Sequence, residues 1–439
     1  MTGMHTHEHG MRRTGVALAL ALTVAGGVSA QERVTLEDAI ARALQRSARV
    51  AELDARRAGA EAAESGAGAA RMPVVSLVAD YARTNHVEEF GIAFPGQPVR
   101  LIYPDVPDNF RSRLDLHWPI YTGGQTAAFE AATRAEKNAL DADLDALRAD
   151  LRLEVTRAFW AAVTARETER VVLQAVRRMD AHVADLRVRL DQGLIPPNEV
   201  TAAEAQHSRQ QLLAIEARNQ RLVSDADLRR LIGGSGELTP MADLGAETVP
   251  VPEQKVAVPD RAEVRGLQQR LEAAESREQG IRGTSKPQVA AVAGLDYARP
   301  NPHIFPRTPF WKDSWDVGVN VSWTLWDGGR RKAEQTEAAA ATRAVQARIT
   351  ELERQITFEV QQRELELDSS RAAIGTADDG VRSALETQRV LGERYRAGVA
   401  TTTDVLDAEV ALLQAELERT RARANERLAI ARLERATGR

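Results

Sequence analysis

The sequence predicts a mainly α-helical fold with a small β part, built from one unit used twice. Three observations predict it. Of 439 residues only 4% are aromatic and 28% are charged, with Ala, Arg, Glu and Leu filling long stretches, as in long helices that bury a narrow apolar stripe. Two short segments instead alternate apolar and polar residues, the period of a half-buried strand. Finally, the segment Trp118 to Gly124 recurs as Trp323 to Gly329, and Arg189 to Val200 recurs as Arg394 to Val405, both 205 residues apart. The register holds between them, where Leu144, Leu147, Leu151 and Val155 map onto Ile349, Leu352, Ile356 and Val360. Self-similarity at a fixed offset over so many apolar positions marks a duplicated structural unit.

Upstream the offset changes, because Val50 to Pro73 parallels Val264 to Pro287 at 214 residues. The first unit therefore carries nine extra residues between Pro73 and Gly124. Insertions collect in exposed loops, so a longer loop is expected there.

Residues 1–30 read as a signal peptide. Arg12 and Arg13 form a basic start, Val16 to Val24 an apolar stretch too short to span a membrane, and Val28-Ser29-Ala30 a cleavage site. His5, His7 and His9 precede that site and go with it, and Met4 or Met11 is an alternative start. The chain has no cysteine, which excludes disulfides, thiolate metal sites, a cysteine nucleophile and a lipoprotein-type anchor.

The first repeat spans 31–233, a Gly- and Pro-rich linker 234–260, and the second repeat 261–439. Each repeat opens on a helix, Thr35 to about Ala69 and Arg261 to about Arg282. Two strands follow. In the second strand of the first repeat Phe110, Ser112, Leu114, Leu116, Trp118 and Ile120 alternate with Arg111, Arg113, Asp115 and His117; in the second repeat Trp315, Val317, Val319, Val321, Trp323 and Leu325 alternate with polar residues. The first strands, near Val75 to Tyr81 and Val289 to Tyr297, alternate less cleanly. The loops between them, Asn85 to Asn109 and Ala298 to Asp313, show neither a helical nor a strand period. Long helical patterns then run over Thr126 to Leu190 and Gly329 to Arg396, each extending roughly 100 Å at the α-helical rise. They break at Gly193 and Gly398, where glycine takes a left-handed cap, and restart after Pro196-Pro197 and Thr401-Thr402-Thr403-Asp404. With so short a loop the return helix runs antiparallel, as an αα-hairpin.

Four strands cannot close a membrane barrel, which needs about eight, and an open sheet edge in lipid is untenable. Yet the alternating strands have a lipid-compatible face, with Trp118, Trp315 and Trp323 placed as interface anchors. A barrel assembled from several chains resolves the conflict, twelve strands in a trimer. A soluble sheet capping a helical bundle is the other arrangement the periodicity allows.

From Val34-Thr-Leu-Glu-Asp-Ala-Ile to the C-terminus the chain resembles the TolC family of outer-membrane efflux and secretion proteins. The duplicated Gly-Gly junctions and the tip motif from Arg394 to Asp407 carry the resemblance. It implies a homotrimer with a twelve-stranded outer-membrane β-barrel continued by a long periplasmic α-helical barrel closed at its inner tip. It also implies docking to a periplasmic adaptor protein and an inner-membrane efflux or ABC transporter, so that the trimer is the exit duct of a tripartite pump or type I secretion system. By the same resemblance Asp404 and Asp407 form carboxylate rings at the constriction, and Tyr395 and Glu199 hold the closed hairpins. Gly193, Leu194, Gly398 and Val399 form the adaptor-docking tips. Where some members carry an arginine that pairs with the aspartates, this chain has Ala400. As i and i+3 on one helix face, Asp404 and Asp407 have a second role available, as N-cap and first-turn acid complementing the helix dipole.

Other classes are weaker. The small net charge of −5 leaves no nucleic-acid footprint. His86, His117, His182, His207 and His303 are scattered, and no phosphate loop, His-x-x-x-His or nucleophile elbow is present, so no enzymatic role, cofactor or metal is expected. The alternative function is a soluble periplasmic helical-hairpin adaptor or scaffold without a channel.

Overall fold

The computed structural model of the chain describes residues 32–234, 238–244 and 261–438. The expected signal peptide, the three early histidines and most of the 234–260 linker lie outside these residues.

Strand β1 (Glu32–Val34) pairs in parallel with β6 (Leu238–Pro240). The opening helix is two helices, α1 (Leu36–Arg46) and α2 (Ala48–Ala69). A single helix from Thr35 is corrected here. Ser47 adopts an extended conformation and its hydroxyl accepts a hydrogen bond from the Val50 amide, so it ends one helix and caps the next.

Four strands form one antiparallel sheet in the order β2-β5-β7-β8, namely β2 (Val74–Arg83), β5 (Asp108–Tyr121), β7 (Gln288–Arg299) and β8 (Lys312–Ser322). The central pairing of β5 with β7 joins the two halves of the chain, leaving β2 and β8 as free edges. The long first loop is not aperiodic throughout, since β3 (Phe90–Ile92) and β4 (Arg100–Tyr103) make a small hairpin inside it. Three- and four-residue strands are too short for their alternation to be read from sequence.

The alternation also misleads at two strand ends. In β5 the register shifts between Pro119 and Tyr121, which opposes Val289, so Ile120 is the extra residue of a bulge. Proline has no amide hydrogen to give the ladder, and bulges absorb that defect. Strand β8 stops at Ser322, short of the apolar Trp323 and Leu325.

Helices α3 (Gln125–Asp191) and α6 (Arg330–Arg396) are each 67 residues long, the second unbroken through Gly375 and Gly380. Each starts after a glycine in the left-handed region, Gly124 at φ 93° and Gly329 at φ 92°. The return helices are α4 (Pro197–Ile232) and α7 (Thr402–Ala436). Helix α5 (Ala262–Gly283) lies between α3 and α6, packing against both, and α7 likewise contacts both. By contrast α2 packs mainly on the long helix α3, with no comparable contact to α6, and α4 also packs mainly on α3.

The core is a series of small clusters rather than one mass. The largest gathers α1, β1 and β6 around Phe159, Trp160, Leu228 and Ile232, at the middle of α3. Others follow along the hairpins, one around Val171, Val172 and Leu413 and one at the tips around Met179, Leu186 and Tyr395.

Candidate functional site

Both hairpin tips are built by the same local device. After α3 the Gly193 amide donates to Leu190 O at 2.8 Å and the Leu194 amide to Arg189 O at 2.9 Å. After α6 the Gly398 amide donates to Tyr395 O at 3.0 Å and the Val399 amide to Arg394 O at 2.9 Å. These paired bonds are Schellman caps, which require the left-handed φ of 73° at Gly193 and 75° at Gly398. They leave Leu194 and Val399 outside the tip cluster, 68% and 63% exposed.

Tyr395 and Glu199 converge. The Thr402 hydroxyl donates to the Glu199 carboxylate and lies 3.3 Å from the Tyr395 hydroxyl, so one threonine ties α4, α6 and α7 together. The Tyr395 ring is buried, edge-on to His182 with centroids 5.9 Å apart, and the Arg189 guanidinium stands 4.8 Å above its centroid. Ala400 packs against the same cluster. An arginine does therefore reach this tyrosine, from α3 rather than from position 400. Thr402, His182 and Arg189 were invisible as site residues in the sequence. Nothing in a run of three threonines says which is buried, and the histidine and arginine are brought in from another helix.

Asp404 and Asp407 stand apart from this cluster, both exposed on the first turns of α7. Asp404 is not the N-cap. Thr401 is, accepting from the Asp404 amide at 3.2 Å, while the Asp404 carboxylate accepts from the Thr401 amide and hydroxyl, each at 2.8 Å. This is a reciprocal capping box, and the two bonds from Thr401 hold the Asp404 carboxyl below the usual carboxylate range. Burial pushes the His182 imidazole down, against the opposing pull of Asp185 and Glu409.

The sheet has two chemically distinct faces. Register places Val75, Leu77 and Tyr81 of β2 in line with Leu116, Leu114 and Phe110 of β5, then with Ala293 and Leu295 of β7, and Val317 and Trp315 of β8. This apolar face is exposed, Trp315 by 74% and Val317 by 72%. Trp118 and Trp323 sit at its helix end, where their indole N–H groups donate to Arg71 O at 3.2 Å and Ser285 O at 3.1 Å. At its loop end Tyr81, Phe110, Trp311 and Tyr297 form a chain of ring contacts with centroids 4.9 to 5.9 Å apart, the last pair stacked and the others tilted. The nine residues from Phe110 to Trp118 span roughly 26 Å at the strand rise, close to the apolar band of a membrane barrel. The opposite face is polar, with Arg111 and Arg113 both paired to the fully buried Asp296, and Arg113 also to Asp115 and Asp316.

Among the described residues no helix is long and apolar enough to cross a membrane, and no group of three or more His, Asp or Glu side chains is arranged to hold a metal ion.

The profile of the outer membrane efflux protein family matches residues 39–234 and 257–439. The chain belongs to the outer membrane efflux protein family. Its place is the outer membrane, and the family is one of efflux proteins. The fold of this outer membrane efflux protein is similar to that of VceC from Vibrio cholerae at 22% identity and a TM-score of 0.76, covering 92% of this chain and 96% of that one. It is similar to the CmeC outer membrane channel of Campylobacter jejuni at 15% identity and a TM-score of 0.76, covering 92% and 85%. It is also similar to the MtrE channel of Neisseria gonorrhoeae, determined in an open state, at 16% identity and a TM-score of 0.73, covering 92% and 88%. No curated protein matches the chain closely enough to count as a relative.

Proposed function

We propose that this outer membrane efflux protein works as a homotrimeric channel-tunnel, the exit duct of a tripartite efflux pump or type I secretion system. The observation that carries the proposal is the four-stranded sheet with two free edges and one exposed apolar face. Pairing β8 of one protomer with β2 of the next removes every edge, and three copies supply twelve strands, enough for a closed barrel. The apolar face then meets lipid, with Trp118 and Trp323 in one interface and the loop-end aromatics, with Trp315 nearby, towards the other. A soluble adaptor or scaffold would have to leave that face in water, a patch far larger than soluble monomers tolerate.

The helices support the same assembly. If the chain is a duplication, with repeats at 31–233 and 261–439, α2 corresponds to α5. Helix α5 fills the space between α3 and α6, whereas α2 lacks that second neighbour. A neighbouring protomer's α6 supplies it. The exposed Leu212, Ile215, Leu222 and Val223 of α4 are the matching surface further down the hairpin. Six similar helical hairpins then wall a periplasmic tunnel.

At its inner tip the Tyr395–Thr402–Glu199 contact holds each hairpin pair shut, and threefold symmetry brings Asp404 and Asp407 into rings that draw cations. Leu194 and Val399, projecting beside Gly193 and Gly398, offer apolar contacts to a periplasmic adaptor, which bridges to an inner-membrane efflux or ABC transporter. The particle mass in mild detergent tests the assembly. Three chains are expected, and a single-chain particle that stays in solution without detergent would overturn it.

A further inference from the structure

The loop of residues 300–311 does not stand clear of the sheet. Asn301 is buried, its amide donating to Lys312 O at 2.9 Å and to the Ser314 hydroxyl at 3.0 Å. Its own carbonyl accepts from the His303 amide at 2.8 Å. The His303 ring in turn lies 3.1 Å from the Ser314 hydroxyl and 3.5 Å from the Asp296 carboxylate. Ser314 and Asp296 oppose each other across β7 and β8 on the polar face, as do Ala298 and Lys312 one step on. The start of the loop is therefore folded over that face, and Asp296 and Ala298 beneath it have essentially no solvent exposure. Its far end is tethered to the other loop, where the Arg307 guanidinium donates to the Tyr103 hydroxyl at 2.7 Å and sits 4.9 Å from the ring centroid.

We infer that residues 300–311 form an inward-folded lip that narrows the outer mouth of the barrel and limits the size of what leaves it, with Asn301 and His303 latched to Ser314. The inference rests on the proposed barrel, whose apolar face meets lipid, so that its polar face lines the pore and the loops opposite the helices stand at its outer mouth. Three physical points carry it. An extracellular loop whose anchor is bonded to lumen-facing side chains lies inside the barrel rim, not above it. The anchor is polar and saturated, since Asn301 uses both its donor and its acceptor, which fixes one geometry rather than a set of them. And a barrel of three chains carries three such lips, so a small inward displacement of each closes much of the opening.

The absence of cysteine makes the test free of background. A single Ala298→Cys is introduced under the lip and a single Gln97→Cys in the exposed part of the first loop, and intact cells are treated with membrane-impermeant maleimides. Gln97→Cys is expected to label rapidly, and Ala298→Cys slowly with a small reagent and more slowly still with a bulky one. Adding Ser314→Ala, which removes the latch acceptor while leaving Asn301 bonded to Lys312 O, is expected to speed labelling of Ala298→Cys at least about fivefold, the effect of one lost hydrogen bond. Asn301→Ala is expected to speed it further, and heat-resistant trimer in the outer membrane reports that each variant has folded. Fast labelling of Ala298→Cys with Ser314 intact, or no acceleration by either variant, overturns the lip. If Gln97→Cys stays unlabelled on intact cells but reacts after lysis, the orientation of the barrel is wrong and the inference falls with it.

Discussion

At the scale of single residues the tip is a small buried polar knot set in an apolar cluster. Tyr395 contributes a ring that fills the cluster and a hydroxyl that reaches Thr402. Tyr395→Phe keeps the ring and removes the bond. Its expected cost is about 1 kcal/mol, read as faster amide exchange in the hairpin tips with no change in the barrel. His182 adds a dependence on pH. Its Nε2 is buried without a partner, and burial lowers its pKa. A depressed histidine contributes stability that is full above its ordinary value of about 6.5 and is lost as pH falls through the folded value. Around it, Tyr395 on α6 offers a ring edge, Glu409 on α7 and Asp185 on α3 favour the cation, and Arg189 opposes it. Tip exchange is thus expected to quicken on acidification below about pH 6.5, and His182→Phe should flatten that response. Asp404 and Asp407 make no such knot. Replacing both with Ala is expected to abolish cation block of bilayer conductance, and unchanged block would remove the constriction role. Because Asp404 also closes the capping box, Asp404→Asn is the cleaner variant for separating charge from cap.

At the scale of elements, glycines show how sequence punctuation and tertiary space differ. A Cβ on Gly193 or Gly398 would meet nothing within 4 Å, so alanine there costs only the left-handed backbone, about 1 kcal/mol. Gly123 has the same positive φ, but its Cβ would sit 2.4 Å from Gly283 O. Gly123→Ala is therefore expected to cost clearly more than Gly193→Ala in thermal melts of the purified protein, because backbone cannot step aside as a side chain can. A second element-level feature joins the start of α5 to the end of α7. Burial pushes the Glu263 carboxyl up, but Arg261 and Arg435 outweigh it and bring the pKa down to about 2 from 4.5. The stability this gives is present above 4.5 and is lost as pH falls towards 2. Acid melts over that window are expected to soften this junction, and Glu263→Gln should remove that part of the slope. In the sequence these helices were legible through period, glycine and proline. The break at Ser47 was not, because a lone serine inside a helical pattern caps a helix only when the chain turns there.

At the scale of the whole molecule, the single chain leaves several surfaces unpaired. Its sheet has two open edges, α2 lacks the second neighbour that α5 has, and Leu212 and Ile215 of α4 are exposed. Ile215→Asp is expected to shift the particle in mild detergent from three chains towards one, since a buried unpaired charge at each of three equivalent contacts opposes assembly. The same change in a protein that stayed trimeric would place α4 outside the interface.

Several features were determined by the sequence itself. Helix length, strand alternation and the glycine breaks depend on neighbours two to four residues apart, or on backbone angles that only glycine adopts readily, and such rules are written locally; the 205-residue correspondence is read by comparing the chain with itself. Tertiary structure decided the rest. It brought His182 and Arg189 onto Tyr395, placed β5 beside β7, bulged Ile120 out of register, and folded Asn301 over Asp296. Each of these is a meeting of groups distant along the chain, or a local choice that only such a meeting resolves, and no period or motif in the sequence encodes which groups meet.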